Sequence, residues 1–84
     1  MLLDVVRVKP LPNHMLSVEF ENGEERLFDF KNELLRPIFA PLKNEKLFNM
    51  ARAESGGVVW NDQLDIAPDY LYEKSIAADK QEQR

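Results

Sequence analysis

The sequence predicts an α+β domain with a small, mostly antiparallel sheet of about five strands, a short helical connection and a C-terminal helix on one face. Three observations predict this class. Apolar residues alternate along several short segments, which is typical of strands with one buried face. Prolines interrupt the middle of the chain, and Pro68 stands where a terminal helix would begin. Runs of strands followed by a helix favour α+β.

The first predicted strand covers residues 2–9, which are rich in Val and Leu. It is expected to end at the proline-rich residues 10–13, because proline cannot donate to a strand ladder. Strict alternation would place Val6 and Val8 on one face and their neighbours on the other.

The second and third strands form a predicted hairpin. Residues 14–20 alternate cleanly, and residues 25–30 form the return strand. The Asn22-Gly23 pair between them is a strong hairpin signal, because both residue types tolerate the positive φ of tight turns.

The register of this hairpin stays open at the level of sequence. A two-residue turn places Val18 opposite Leu27. A three-residue turn places Leu16 opposite Phe28 instead. Each alternative leaves one awkward pairing.

The connection that follows is predicted to be rich in turns, because Pro37 and Pro41 break any long helix. Asn44 is expected to start a short helical turn as its N-cap. The apolar residues of this connection are expected to point inward, namely Ile38, Phe39 and Leu42.

Two further strands are predicted at residues 50–54 and 58–60, with a glycine turn between them. A helix is then expected from Pro68 through Ile76, with Asp69 in its first turn, where a negative charge suits the helix dipole. Residues 1–78 are interpreted as one domain, and the polar residues 79–84 as a frayed tail.

The size and charge of the chain limit the classes of ligand and partner that it can bind. The 84-residue chain carries a formal net charge of −4, which counts against nucleic acid as a direct ligand. It contains no cysteine and no apolar run long enough to cross a bilayer, so we expect a cytoplasmic protein with no membrane partner. A mildly basic middle is read as a solvated face; its members are Lys31, Arg36, Lys43, Lys46 and Arg52.

Three aspartates suggest a metal or catalytic site, because hard cations prefer carboxylate oxygens. However, Asp62, Asp65 and Asp69 do not follow the spacing of a calcium-binding loop, and each has a structural role open to it in a turn or helix start. The single histidine, His14, has no nucleophile or orienting partner at a recognisable spacing and is read as solvated. We therefore expect no cofactor, no metal and no catalytic activity.

The aromatic residues near the end of the chain offer the strongest candidate for binding. Trp60 and Tyr72, together with Asp65 and Asp69, form the predicted interaction surface, since aromatic residues are enriched at binding hot spots. For Trp60 taken by itself, the core is the favoured position, because Trp60 ends an apolar strand and a tryptophan buries enough area to anchor a small domain.

These residues, taken in order, resemble a small bacterial family of unknown function, DUF2442. The resemblance covers about residues 5–73 and departs from the family at Asn61-Asp62-Gln63, where members often carry a Pro and a Gly. The segments that carry the resemblance are Val5-Val6-Arg7-Val8-Lys9-Pro10, Leu16-Ser17-Val18-Glu19-Phe20, Asn22-Gly23-Glu24, Phe28-Asp29-Phe30, Phe39, Pro41-Leu42, Leu47-Phe48, Val59-Trp60, Asp65-Ile66-Ala67-Pro68-Asp69 and Leu71-Tyr72.

The resemblance implies an α+β domain without an established activity. Some members carry a helix-turn-helix segment, and some are encoded beside small proteins in arrangements similar to toxin–antitoxin pairs. The favoured hypothesis is a non-catalytic binding or regulatory module that pairs with a small basic protein, in the manner of an acidic toxin–antitoxin partner, or with itself. The alternative is a small ligand-binding or metal-binding protein, or an enzyme, that uses Asp62, Asp65 and Asp69.

Overall fold

Two antiparallel sheets, rather than one, form the framework of this protein. The computed structural model describes residues 3–78, so the predicted tail at 79–84 and the start of the first predicted strand lie outside the described residues. The α+β class is confirmed. The first sheet has the order β1-β2-β3-β7 and the second the order β4-β5-β6. The strands are β1 (Val5–Leu11), β2 (Met15–Phe20), β3 (Glu25–Asp29), β4 (Arg52–Glu54), β5 (Gly57–Asn61), β6 (Leu64–Ile66) and β7 (Ile76–Ala77).

Four helical pieces connect and cover these strands. The connecting segment, residues 32–43, consists of two 3₁₀ helices, Asn32–Leu35 and Pro37–Lys43. Two short α-helices follow, α1 (Glu45–Phe48) before β4 and α2 (Pro68–Lys74) after β6. Within residues 3–78, no helix is long and apolar enough to cross a membrane.

The first strand differs from its prediction in two ways. It continues through Pro10, which pairs with Leu16, because β1 is at the edge of its sheet and proline is tolerated there. A bulge also interrupts the alternation: Val5 lies opposite Phe20, whereas the next paired residue is Arg7. The extra residue, Val6, is therefore exposed while Val5 is buried.

The register of the central hairpin follows the three-residue turn. Leu16 lies opposite Phe28, and the Phe20 N–H donates to the Glu24 carbonyl at 2.9 Å. The loop closes with the Gly23 N–H donating to the Phe20 carbonyl at 2.8 Å, and Gly23 has φ of +90°. The loop therefore has three residues, the last of which is a glycine in the left-handed region, as is common in three-residue hairpins. The register with a two-residue turn is excluded.

The connecting segment buries only part of its apolar surface. Phe39 and Leu42 are buried as expected, but Ile38 is exposed, so the inward prediction for Ile38 was wrong. The reason is the 3₁₀ period of three residues per turn, which places positions 39 and 42 on one face. Asn44 is the N-cap of α1, as predicted, and its Oδ1 accepts from the N–H groups of Lys46 and Leu47.

The end of the chain contains two strands that were not predicted. Residues 64–66 form β6 against β5 before α2 begins at Pro68. The predicted helix through Ile76 was wrong, because α2 ends at Lys74 and Ile76 returns to the first sheet in β7. This return is held by Arg26, whose Nε donates to Ser75 Oγ at 2.7 Å and whose Nη2 donates to the Ser75 carbonyl at 2.8 Å.

Both sheets contribute to one hydrophobic core. Trp60 lies at its centre with only 1% of its surface exposed, and its indole Nε1–H donates to the Phe48 carbonyl at 3.0 Å. The ring of Phe30 packs against it at a centroid distance of 5.4 Å. The core alternative for Trp60 is thus the correct one, and Trp60 is removed from the predicted interaction surface because no partner can reach it.

Candidate functional site

Two residues of the predicted interaction surface, Asp69 and Tyr72, lie close together on α2. A groove of about 190 Å³ is lined by an apolar floor and two carboxylates. The spacing of Asp69, Tyr72 and Glu73 places them on one side of the helix, since residues three and four apart are neighbours there. We call this site the α2 groove, and its lining residues are Leu3, Pro68, Asp69, Tyr72 and Glu73.

Tyr72 is fixed in the α2 groove by contacts on several sides. Its ring packs edge-on against Phe20 at a centroid distance of 5.2 Å, and the Arg26 guanidinium stacks over it at 4.3 Å. A hydrogen bond to Glu24 raises the pKa of the Tyr72 hydroxyl above its usual value, and desolvation adds to this. The ring of Tyr72 is therefore held by contacts with Phe20 and Arg26, and its hydroxyl stays neutral at physiological pH.

The three aspartates that suggested a metal site lie in three different parts of the fold. Asp62 is in the β5–β6 turn, Asp65 is on β6 and Asp69 is on α2, and all three are exposed. Among residues 3–78, no group of three or more His, Asp or Glu side chains is arranged to hold a metal ion. The turn itself is closed by Asn61, whose Oδ1 accepts from the N–H groups of the residues two and three positions later.

His14 packs into the structure, so its prediction as a solvated residue was wrong. The ring lies 4.7 Å from the ring of Phe48, and Nε2 lies 3.0 Å from the Leu42 carbonyl oxygen. Both Asn13 and His14 have positive φ, at 64° and 56°, which folds the β1–β2 loop back over α1. His14 thus links this loop to the connecting segment.

A second surface was missed by the sequence analysis. The connecting segment exposes Leu35 to 80% and Ile38 to 56% of their surfaces, although both are large aliphatic residues. Neighbouring apolar residues of the same segment are exposed as well. We call this surface the ridge; it consists of Leu35, Pro37, Ile38, Ala40 and Pro41.

A buried carboxylate holds the ridge in place. Glu33 is only 8% exposed, and its two oxygens have different partners. The Tyr70 hydroxyl of α2 donates to Oε2 at 2.7 Å, and Arg36 Nη1 donates to Oε1 at 3.0 Å. The Arg36 guanidinium also lies over the Phe39 ring at 5.5 Å. These contacts fix the first 3₁₀ helix to α2 and to the core.

The Tyr70–Glu33 contact also changes the acidity of Tyr70. Its hydrogen bond to the Glu33 carboxylate raises the pKa of the Tyr70 hydroxyl, and burial and the nearby negative charge act in the same direction. The charge of Arg36 opposes them to a smaller extent. The hydroxyl therefore remains a donor throughout the physiological range.

The ridge is basic as well as apolar. Two exposed basic residues adjoin its apolar members and are counted with it from here on: Arg36 lies between Leu35 and Pro37 in the sequence, and Lys43 ends the second 3₁₀ helix. The only acid of this segment, Glu33, is buried and already bound. The signal that could have found the ridge is the spacing of Phe39 and Leu42: three residues apart on a 3₁₀ helix, they leave Ile38 and Pro41 facing outward.

Comparison with known protein families shows which family this chain belongs to. The profile described as a protein of unknown function (DUF2442) matches residues 5–77, which is nearly the whole of the described structure. This chain belongs to the DUF2442 family. The match extends the expected span past Tyr72 to the end of β7, so the DUF2442 domain includes the returning strand. Neither the curated proteins nor the solved structures gave a match.

Proposed function

We propose that this DUF2442 protein is a non-catalytic protein-binding module. The observation that carries the proposal is the ridge, where large aliphatic side chains are exposed on an ordered frame instead of being buried. Large aliphatic side chains exposed close together in one segment, with polar residues beside them, are typical of interaction sites. The prolines of the ridge and the bonds of Glu33 hold it in one conformation, which lowers the entropy that is lost on binding.

We further propose that the α2 groove receives a basic, partly apolar segment of a partner. Asp69 and Glu73 supply two carboxylates beside the apolar ring of Tyr72. The net charge of −4 would steer a basic protein toward this surface and speed its association. The fuller form of the proposal is the acidic member of a two-protein regulatory pair similar to toxin–antitoxin pairs, acting in the cytoplasm.

Capture from native cells with matched variants tests the proposal. The tagged protein is compared with Leu35→Glu in the ridge and with Asp69→Lys in the α2 groove. Met50→Glu and Asp62→Lys are the controls, because they make the same chemical changes at exposed positions outside both surfaces. We expect one stoichiometric companion with the wild type and both controls, and its loss with at least one surface variant.

Two results of this experiment would contradict the proposal. One is a companion that is retained equally by all variants, because it would bind neither surface. The other is a companion that is lost equally with the controls, because that pattern would reflect a general change of charge or polarity. Circular dichroism of each variant confirms that it is folded before the comparison is made.

The competing hypothesis gives Asp62, Asp65 and Asp69 a role in ligand binding, metal binding or catalysis. Its test is the thermal stability of the protein with added calcium, magnesium or manganese, since a ligand that binds only the folded state raises the melting temperature. An increase that is abolished by Asp65→Asn would favour this alternative over the binding module.

A further inference from the structure

We propose that the ridge of one copy docks into the α2 groove of a second copy. This inference rests on the proposed function, because it names the partner segment that the groove receives. The chain itself carries a segment of the required chemistry, apolar and basic, in residues 35–43. It also carries the matching site, apolar and acidic, beside α2.

The apolar parts of the two surfaces match in size. The α2 groove offers about 190 Å³ over the side chains of Leu3, Pro68 and Tyr72. A space of roughly 150 Å³ is enough to accept a benzene-sized apolar group. Among residues 3–78, Leu35 is the most exposed large aliphatic residue at 80%, so most of its side chain is available to enter such a groove. Insertion would remove both apolar surfaces from water.

The charges of the two surfaces are complementary as well. The α2 groove contributes Asp69 and Glu73, and the ridge contributes Arg36 and Lys43. Arg36 uses Nη1 to bind Glu33, and its guanidinium has further N–H donors for a second carboxylate. Because the two carboxylates lie on the groove and the exposed bases lie on the ridge, ridge-to-groove contact is more favourable than ridge-to-ridge or groove-to-groove contact.

This pairing is head-to-tail rather than symmetric. Each copy that binds through its ridge leaves its own groove open, so assembly continues from copy to copy instead of stopping at a dimer. The contact rests on few large side chains and is exposed to salt screening. We therefore expect weak association that grows with protein concentration and decreases with ionic strength.

Analytical ultracentrifugation of the purified protein tests this inference. The average mass of the wild type should rise with concentration up to the order of 1 mM and fall when salt is raised from about 0.05 to 1 M. Leu35→Glu removes the ridge contact, and Asp69→Lys/Glu73→Lys removes the groove contact. Each should weaken association at least about tenfold. Met50→Glu should associate like the wild type.

Mixing the two defective variants gives the decisive measurement. Leu35→Glu keeps an intact groove, and the doubly substituted variant keeps an intact ridge. An equimolar mixture should therefore form one-to-one dimers that do not grow further, although neither variant associates alone. If Leu35→Glu does not fold, Leu35→Ser replaces it, with tryptophan fluorescence as the check of folding.

Three outcomes would overturn the inference. A wild type that stays monomeric at the highest concentration excludes self-association. Association that survives either variant places the contact elsewhere. Association that is lost in both variants but not restored on mixing excludes the head-to-tail pairing. A monomer that still captures a companion through the ridge leaves the proposed function standing, so the two failures are distinguishable.

Discussion

Replacing Tyr70 by Phe tests the bond that holds the ridge. The substitution removes one hydroxyl and leaves the ring against Phe28, where the centroids are 6.2 Å apart. Glu33 then loses the donor to Oε2 at 2.7 Å and keeps only Arg36 on its other oxygen. Because Glu33 is 8% exposed, water can replace the lost hydroxyl only in part.

The expected loss follows from these contacts. A hydrogen bond to a charged group contributes about 1.5–3 kcal/mol, and a buried group left without its partner costs a similar amount. Tyr70 itself is partly exposed, which lowers the expected loss of unfolding free energy to about 1–2 kcal/mol. For a domain of this size, the melting temperature should fall by roughly 5–12 °C.

Urea denaturation followed by the fluorescence of Trp60 measures the loss, because this is the only tryptophan and it is buried. Tyr72→Phe is the matched control and should cost less, since its partner Glu24 is more exposed. Combining Tyr70→Phe with Glu33→Gln should give less than the sum of the two single losses. A Tyr70→Phe variant within about 0.3 kcal/mol of the wild type would refute the structural role of the bond.

Three further predictions concern stability. Asn44→Ala removes the N-cap of α1 and should lower the free energy of unfolding by about 1 kcal/mol in urea denaturation, with Lys43→Ala as a near-neutral control. Gly57→Ala would place a Cβ 2.6 Å from a backbone carbonyl oxygen of β6, so we expect a loss of about 1–3 kcal/mol; an unchanged melting temperature would contradict the close approach. Finally, the pKa of Tyr70 is raised in the folded state above its ordinary value of 10.0, so the stability it adds is present below pH 10 and is lost as the pH rises through the folded value. Thermal melts from pH 8 to 11 should show a steeper decline for the wild type than for Tyr70→Phe.

Local patterns predicted the parts of the fold that local physics controls. The alternation in β2 identified its buried face, and Leu16, Val18 and Phe20 are all fully buried. The cap at Asn44 was likewise predicted from residue type alone. In both cases the pattern that reveals the feature, an alternation of apolar residues or a capping residue type, lies within a few residues of the chain.

Elements that depend on distant residues were not predictable in this way. The two residues of β7 carry no strand pattern of their own, and they join β3 because Arg26 binds Ser75. The choice of hairpin register needed the backbone angle of Gly23. Strand β1 continues past Pro10 only because, within residues 3–78, no further strand of its sheet lies beyond it.

The candidate surfaces were predicted in part. Asp69 and Tyr72 lie together as a helical spacing suggests, whereas Trp60 is buried and Asp65 is on β6. The ridge was missed because Ile38 was predicted to point inward and Leu35 was given no position at all. A 3₁₀ helix buries only some of its positions, and Leu35 and Ile38 are the ones left out.

Two hydrogen bonds between distant parts of the chain determine how late during synthesis the fold can be completed. The Val5 N–H donates to the Gly56 carbonyl at 2.8 Å, and Arg26 reaches Ser75, which is 49 residues further along the chain. Pairings between such distant positions form late, because a long loop must close first. A nascent chain that ends before Ile76 therefore has β3 paired with β2 but not with β7. The ribosome must therefore release the chain through Ala77 before the first sheet is complete.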